Sequence, residues 1–456
     1  MPAKRTRLID ELLARPEFAD HWALKWSDLL RNEEKVLDTK GVEVFHAWIR
    51  ESIARGKPVD QFVRDLIMAR GSTYKHAAAN FWRANRLPLV RAETTARLFL
   101  GTRLQCAKCH NHPFERWTQD DYYRWAALFA RIDYKIVENK RRDKFDKHEF
   151  IGEQIVLVKD EGEVKNARTG QVATPRFLGA DTPALAGKSD RLAALAKWLT
   201  SKENKRFAKA QVNWIWYHVM ARGLVDPIDD FRETNPAINP GLLDALGEDF
   251  VDHNFDLRHI VRVIMNSQTY QRSAVPNKTN VDDQSNFSRA IVRRLTAEQL
   301  LDAQSQVADV PLRFAGYDRP LRAGQLPGVQ KVRRRDKTLE AGDRFLRAFG
   351  KPQRLLACEC ERSNETNLKH VFLLVGGEGI NHRLSQPGNR LERLALSKLS
   401  DKDVVSELYW TALGRPPTPR EQEVAVELIE ATKNRFQALQ DLAWALLNAK
   451  EFIFRK

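Results

Sequence analysis

The amino-acid sequence predicts a mainly α-helical protein, with two helical domains and a small β insert near residues 150–180. Three observations support this. Apolar residues recur at three- and four-residue spacing through most of the chain, and the tract 148–179 has strand-like runs instead. The length of 456 residues also exceeds what one domain normally needs. The predicted organisation is an N-terminal domain over 1–147, the insert and a linker over 148–188, and a C-terminal domain over 189–456.

In the first half of the chain, local sequence signals support each predicted helix and strand in turn. Lys57-Pro58 and Arg70-Gly71 are natural helix stops, and Thr118 is a plausible N-cap. The run Ile155-Val-Leu-Val158 predicts a strand, and Arg168-Thr-Gly-Gln has the composition of a hairpin turn. Apolar spacing predicts helices over 7–13, 22–30, 44–54, 59–69, 94–101 and 120–131.

The second half continues the helical pattern after the linker, which Pro175 and Pro183 mark. The stretch 311–336 is rich in Gly, Pro and Arg and is predicted to be an irregular surface loop. Helices are predicted over 190–200, 205–220, 241–254, 257–266 and 296–307, followed by a bundle over 365–385, 389–398, 401–413, 418–433 and 435–450.

Cys106-Ala-Lys-Cys109-His110 is the most informative chemical motif. At C-x-x-C-H, two thiols form thioether bonds to haem vinyl groups and the adjacent imidazole becomes an axial iron ligand. The spacing allows both sulfurs to reach one edge of the macrocycle while the histidine turns under its face. The motif therefore predicts haem c on Cys106 and Cys109, with His110 as the iron ligand. A structural zinc or iron site and unligated thiols are the alternatives.

The other two cysteines, Cys358 and Cys360, support a competing interpretation. C-x-C can donate two thiolates, which together with Cys106 and Cys109 would complete a four-sulfur zinc or iron–sulfur site. That site excludes thioether-bound haem, because thioether sulfurs are poor zinc ligands. A disulfide between Cys358 and Cys360, or two free thiols, is the remaining possibility. The distance between the two cysteine pairs decides among these hypotheses.

Residues near the motif extend the haem hypothesis. Trp117 is predicted to line a haem edge, and Arg116 to neutralise a propionate. The first methionine after the motif is Met220, too far along the chain to resemble the usual sixth ligand of small cytochromes. His76 and His218 are the imidazole candidates for that position. Without a distal ligand, the iron would be five-coordinate or water-ligated.

Asp229 and Asp230 form an acidic pair that could support hydrolysis. Clustered carboxylates beside Arg232 are compatible with a calcium site, an acid/base pair or a salt-bridge network that fixes a loop. Glu359 and Glu361 beside Arg362 allow the same interpretations. The sequence has no Ser/His/Asp order, phosphate loop or metalloprotease helix. It therefore assigns no particular enzymatic reaction.

Several motifs together resemble the planctomycete-type cytochrome-like family, a pairing of two domains of unknown function. The resemblance covers nearly the whole chain. It implies a haem-like site and a setting in the periplasm or at the cell surface. The motifs that carry it are Leu98–Tyr123 around the cysteines, Asn213-Trp-Ile-Trp216, Gly223–Arg232, Ile264–Tyr270, Arg293–Asp302, Cys358–Arg362 and Gly414–Pro419.

Net charge and hydropathy limit the classes of partner that the chain can bind. The net charge is +15 and the pI is near 9.6, which favours an acidic redox partner or a polyanionic polysaccharide. No helix-turn-helix, zinc-finger or RNA-recognition motif supports nucleic-acid binding. No apolar run is long enough to span a membrane, and the N-terminus does not resemble a signal peptide. Because the family begins upstream of Arg7, a missing leader is expected, and a cytoplasmic protein without haem is the alternative.

Overall fold

The computed structural model describes residues 2–141, 150–181, 185, 189–331, 339–362, 368–375 and 378–455. The protein is mainly α-helical, as predicted, with two small sheets. The chain forms two compact units: unit 1 contains 1–291 and 354–361, and unit 2 contains 292–353 and 362–456. Within the described ranges, no helix has both the length and the hydropathy required to cross a bilayer.

Unit 1 is a helical assembly with one three-stranded antiparallel sheet. The sheet order is β1-β3-β2, and Tyr134 of β2 lies opposite Val156 of β3. The elements of unit 1 are α1 (Pro2–Ala14), α2 (Pro16–Leu29), α3 (Glu34–Ala54), α4 (Val59–Met68), β1 (Gly71–Ser72), α5 (Asn80–Ala84), α6 (Pro88–Leu100), α7 (Gln119–Ala127), β2 (Ile132–Ile136), β3 (Gln154–Val158), α8 (Arg191–Leu199), α9 (Lys205–Met220), α10 (Pro240–Asp252) and α11 (Leu257–Asn266).

The division between the units differs from the predicted one. Helices α8 to α11 follow the predicted linker, yet they pack on N-terminal helices: α8 on α4, α9 on α6 and α11 on α1. One continuous core of unit 1 therefore includes residues from Ile9 to Phe287, so the insert does not separate two cores. The predicted boundaries at 147/148 and at 188 lie outside the described residues.

The β insert forms largely where the sequence places it. The predicted strand 155–158 is contained in β3, and the predicted hairpin is closed by an antiparallel bridge between Lys165 and Val172. Strand β2 was not predicted, because its residues follow directly on a helix. Its alternating apolar residues pair with β3 and extend the sheet into the part assigned to the first domain.

Unit 2 is a helical bundle with its own hydrophobic core. The core is centred on α12, α17 and α19, where residues such as Leu300, Leu408 and Leu439 are fully buried. Its elements are β4 (Arg293–Arg294), α12 (Ala297–Ala308), α13 (Ala341–Ala348), α14 (Leu368–Val375), α15 (Glu378–Ser385), α16 (Arg390–Ala395), α17 (Asp401–Leu413), α18 (Pro419–Ala431), α19 (Arg435–Asn448), α20 (Lys450–Ile453) and β5 (Phe454–Arg455).

Candidate functional site

The C-x-x-C-H motif lies on a short exposed turn of unit 1, residues 105–110, called the cysteine turn here. Helix α6 ends at Gly101, whose left-handed conformation (φ 59°) turns the chain away from the helix axis. A 3₁₀ turn, Gln105–Lys108, follows, and Ala107 on its inner side is completely buried. Cys106 and Cys109 both project outward as exposed, unpaired thiols. The cysteines therefore lie just after α6, and both are accessible from solvent.

His110 continues this turn and is exposed, with one ring nitrogen already engaged. Its Nδ1 lies 2.7 Å from the backbone oxygen of Asn111. This contact assigns the ring proton to Nδ1 and leaves the Nε2 lone pair facing away from the bond. Such a bond is the usual outer-shell support of a metal-ligating imidazole. His112 instead stabilises the loop, because its Nδ1 accepts a hydrogen bond from the backbone N–H of Phe114 at 3.2 Å.

Arg116 and Trp117 lie beside the motif but line a different cavity. Trp117 is buried, and Arg116 stacks on its indole with Cζ 4.7 Å from the ring centroid. The indole Nε1 has no hydrogen-bond partner among the described residues. The cavity that they line has a volume of about 280 Å³, and neither cysteine nor His110 belongs to its lining. It is smaller than the roughly 300–1,000 Å³ of sites that enclose a cofactor. A haem on the two thiols would therefore lie on the open surface.

Asp229 and Asp230 lie in the loop 221–239 between α9 and α10, called the Asp229 loop here. They form a salt-bridge network with three arginines. Nε of Arg103 lies 3.1 Å from Oδ1 of Asp229, and Nε of Arg97 lies 3.5 Å from Oδ2. Asp230 contacts Arg103 at 3.8 Å and Arg232 at 3.4 Å. Burial lowers the pKa of the Arg97 guanidinium, and the charge of Asp229 opposes this effect. The network fixes the loop beside the cysteine turn, in agreement with the structural interpretation of the pair.

The second cysteine pair forms a disulfide that joins Cys358 to Cys360. Cys358 is buried and Cys360 is exposed. Between them, Glu359 accepts hydrogen bonds from Nε1 of Trp214 at 3.2 Å and from Nε2 of His218 at 3.0 Å. His218 was a candidate distal ligand, but its Nε2 is directed at this carboxylate. Sequence reasoning did not find the Glu359 contacts, because more than 140 residues separate the partners.

The four-cysteine alternative is not formed in this structure. Cys358 and Cys360 are covalently paired, so neither offers a thiolate. Cys106 and Cys109 remain free. Among the described residues, no cluster of three or more potential ligands contains a cysteine. The physical reason is that the 3₁₀ turn Glu359–Glu361 brings the Cα atoms of Cys358 and Cys360 within 5.2 Å of each other, so their sulfurs can pair directly.

One potential metal-ligand cluster does occur among the described residues, away from the predicted site. It consists of Asp249 and His253 on the α10 side and His259 on α11, with ligand atoms within 4.8 Å of one another. The carboxylate of Asp249 lies 2.8 Å from Nε2 of His259 and 3.2 Å from Nδ1 of His253. The two imidazole rings stack with their centroids 3.6 Å apart. The ligand types suit zinc or non-haem iron. The carboxylate already pairs with both imidazoles, so the arrangement is stable as an interhelical contact without an ion.

Comparison with protein families agrees with the motif-based resemblance. Residues 190–429 match the family model PSD1, described as a protein of unknown function (DUF1553). The chain belongs to this family. Residues 1–134 match PSCyt2, also described as a protein of unknown function (DUF1549), so the chain carries the DUF1549–DUF1553 pairing. No curated protein matches the chain, and no solved structure matches it.

The DUF1549 match contains the cysteine turn, and the DUF1553 match contains the Asp229 loop and the Cys358–Cys360 disulfide. The gap between the two matches, 135–189, contains the whole of the predicted insert and linker, 148–188. Sequence families therefore divide the chain near the insert, whereas the compact units divide it near residue 291. Because both family descriptions state that the function is unknown, a functional proposal depends on the geometry of the cysteine turn.

Proposed function

We propose that this DUF1549–DUF1553 protein carries one haem c and has a redox or electron-transfer role at the cell envelope. The observation that carries the proposal is the pair of exposed free thiols, Cys106 and Cys109, on a single turn that continues into His110. Both thiols are accessible for thioether formation. The Nδ1 contact of His110 with Asn111 leaves Nε2 available as the axial ligand.

The residues around the turn fit such a group at the surface. Lys108 is exposed between the cysteines, and Arg116 presents a guanidinium on the neighbouring indole. Either cation would pair with a haem propionate. Phe114 is 56% exposed and offers an apolar surface to the macrocycle. When bound, haem would supply a one-electron couple, and a basic surface would attract an acidic redox partner.

The Cys358–Cys360 disulfide supports the proposed location. Disulfides persist in the periplasm and at cell surfaces and are rare in the reducing cytosol. Thioether attachment of haem to C-x-x-C-H likewise takes place outside the cytoplasm in bacteria. The two cysteine pairs thus favour the same compartment for independent chemical reasons. A polyanionic polysaccharide remains an alternative partner of the basic surface.

The test is to produce the chain with an export leader in cells that express a c-haem maturation system. We expect a pyridine haemochrome α-band at one haem per chain, retained after denaturation because the linkage is covalent. The C106S/C109S variant should lose it, and the matched C358S/C360S variant should keep it. His110→Ala should retain covalent haem with an altered axial-ligand spectrum. Absence of the α-band in the unmodified chain, or stoichiometric zinc in its place, would refute the proposal.

A further inference from the structure

A large cavity lies within unit 2, and no residue of the cysteine turn lines it. Its volume is about 1220 Å³, larger than a typical small-molecule site. The loop after α12, the start of α13, the end of α15 and one face of α19 form its wall. All four elements belong to unit 2, as do all the described residues that line the cavity.

A buried and uncompensated cation lies in the wall of this cavity. The residue is Arg383 on α15, which is only 7% exposed. Its Nη2 donates to Oε1 of Gln304 at 2.7 Å, a neutral partner, and its Nε has no hydrogen-bond partner among the described residues. Burial lowers the pKa of Arg383 to about 10, and no carboxylate of the described residues acts against this shift. Burying an unpaired charge is costly, and an anionic group in the cavity would offset that cost.

The remaining wall presents the carboxamides of Gln437 and Gln440, the carboxylates of Glu340 and Asp441, and one aromatic ring. Gln437, Gln440 and Asp441 project from α19 beside Trp444, which is half-buried. Carboxamides offer donors and acceptors together, which suits the hydroxyl groups of a sugar. A half-buried indole in the wall offers a flat apolar surface on which the C–H face of a sugar ring can pack.

We propose that this cavity binds an acidic oligosaccharide, with its carboxylate or sulfate on Arg383, its hydroxyls on the α19 amides and a sugar ring on Trp444. The volume accommodates more than one sugar unit. Arg313 and Arg344 are exposed in the same wall, so with Arg383 three guanidinium groups outweigh the carboxylates of Glu340 and Asp441 and favour an anionic ligand. The site is independent of haem attachment, so either proposal can fail without the other.

The test is calorimetric titration of the full chain with three tetrasaccharides: an oligogalacturonate, a sulfated chondroitin fragment and neutral cellotetraose as the uncharged control. We expect an acidic probe to bind at least tenfold more tightly than cellotetraose. The first probe carries carboxylates alone and the second carries carboxylates and sulfates, so tighter binding of the second assigns the anionic site to sulfate.

Two variants with the same change in net charge separate the cavity from general surface attraction. Arg383→Gln should weaken binding of the acidic probe at least tenfold. Arg420→Gln, which removes a 77%-exposed arginine, should leave it unchanged. Because Arg383 also contacts Gln304, Gln440→Ala provides a second cavity variant, expected to weaken binding severalfold with the fold intact. Equal loss in Arg383→Gln and Arg420→Gln, or no preference for an acidic probe over cellotetraose, would overturn the proposal.

Discussion

Nε2 of His218 lies 3.0 Å from Oε1 of Glu359, and both side chains are at least nine-tenths buried in unit 1. The same carboxylate oxygen accepts from the indole of Trp214, whose ring lies edge-on to His218 with centroids 4.9 Å apart. The disulfide residues Cys358 and Cys360 flank Glu359 in the sequence. The segment 354–361 is therefore attached to the aromatic core of unit 1 by a buried, charged acceptor.

We expect Glu359→Ala to lower the free energy of unfolding by about 2–4 kcal/mol, because it removes an acceptor shared by two buried donors. Glu359→Gln retains a carbonyl oxygen and should cost about half as much. Urea unfolding followed by tryptophan fluorescence measures both, since Trp214 reports directly on the contact. Equal stability of Glu359→Ala and the unmodified chain would show that the contact contributes nothing.

Removing a charge from the Asp229 loop should also lower the free energy of unfolding. The loop is held against the end of α6 by the N–H of Phe231, which donates to the oxygen of Gly101 at 2.8 Å. Asp229→Asn removes the anion that Arg97 and Arg103 share, and we expect a loss of about 1–3 kcal/mol, reduced by the partial exposure of Arg103. The measurement is again denaturant unfolding.

Glu233 provides the matched control for this prediction. It lies in the same loop and is exposed, so Glu233→Gln removes the same charge where solvent screens it. We expect a change within about 0.5 kcal/mol. If both variants lose the same stability, the effect comes from the net charge of the loop and not from the arginine contacts.

Local sequence signals predicted individual elements more accurately than their assembly. Helix α4 occupies 59–68 against a predicted 59–69, because Pro58 precedes it and Gly71 follows it closely. Strand β3 contains the predicted run 155–158, also for a local reason, because β-branched residues in this run favour a strand. The packing of α9 on α6 depends on side-chain contacts between distant segments, which periodicity does not encode. The unit boundary therefore differs from the predicted linker.

The same distinction applies to the sites. Cys106, Cys109 and His110 were identified because their spacing in the sequence is itself the chemical signal. Arg383 was not identified, because an isolated arginine on a helix has no local signature. Its burial and its lack of an acidic partner arise only when α15 packs against α12. Cys358 and Cys360 were recognised as a possible pair, and the disulfide between them was one of the stated alternatives.

The disulfide should contribute little to global stability. A cross-link stabilises mainly by restricting the unfolded chain, and this effect is small for a loop of three residues, about 1.5 kcal/mol. We expect Cys358→Ala combined with Cys360→Ala to lower the free energy of unfolding by no more than about 2 kcal/mol. Cys106→Ala combined with Cys109→Ala, at exposed positions, is the matched control and should change it by less than about 0.5 kcal/mol. A loss above about 4 kcal/mol for the first pair would assign the disulfide a major structural role.

The stability of unit 1 should fall as the pH rises from about 4.5 to 7, because of Glu33. Burial raises the pKa of its carboxyl to about 7, although Glu33 also caps α3 by accepting from the N–H groups of Lys35 and Val36. The folded state therefore binds this proton more tightly than the unfolded state does. Below about pH 4.5 both states are protonated and no penalty arises, and above about pH 7 the full penalty of roughly 2–4 kcal/mol applies.

Glu33→Gln removes this titration while keeping an oxygen for the cap. We expect the variant to be about 2 kcal/mol more stable than the unmodified chain at pH 8 and equal to it near pH 4.5, measured by urea unfolding across that range. Glu34→Gln is the matched control on the adjacent residue and should retain most of the pH dependence, because burial raises the pKa of Glu33 more than the charge of Glu34 does. Asp302 in unit 2, whose pKa burial raises to about 6, adds a slope of the same sign that both variants leave unchanged. A Glu33→Gln variant less stable than the unmodified chain at pH 8 would show that the charged cap outweighs the cost of burying the carboxylate.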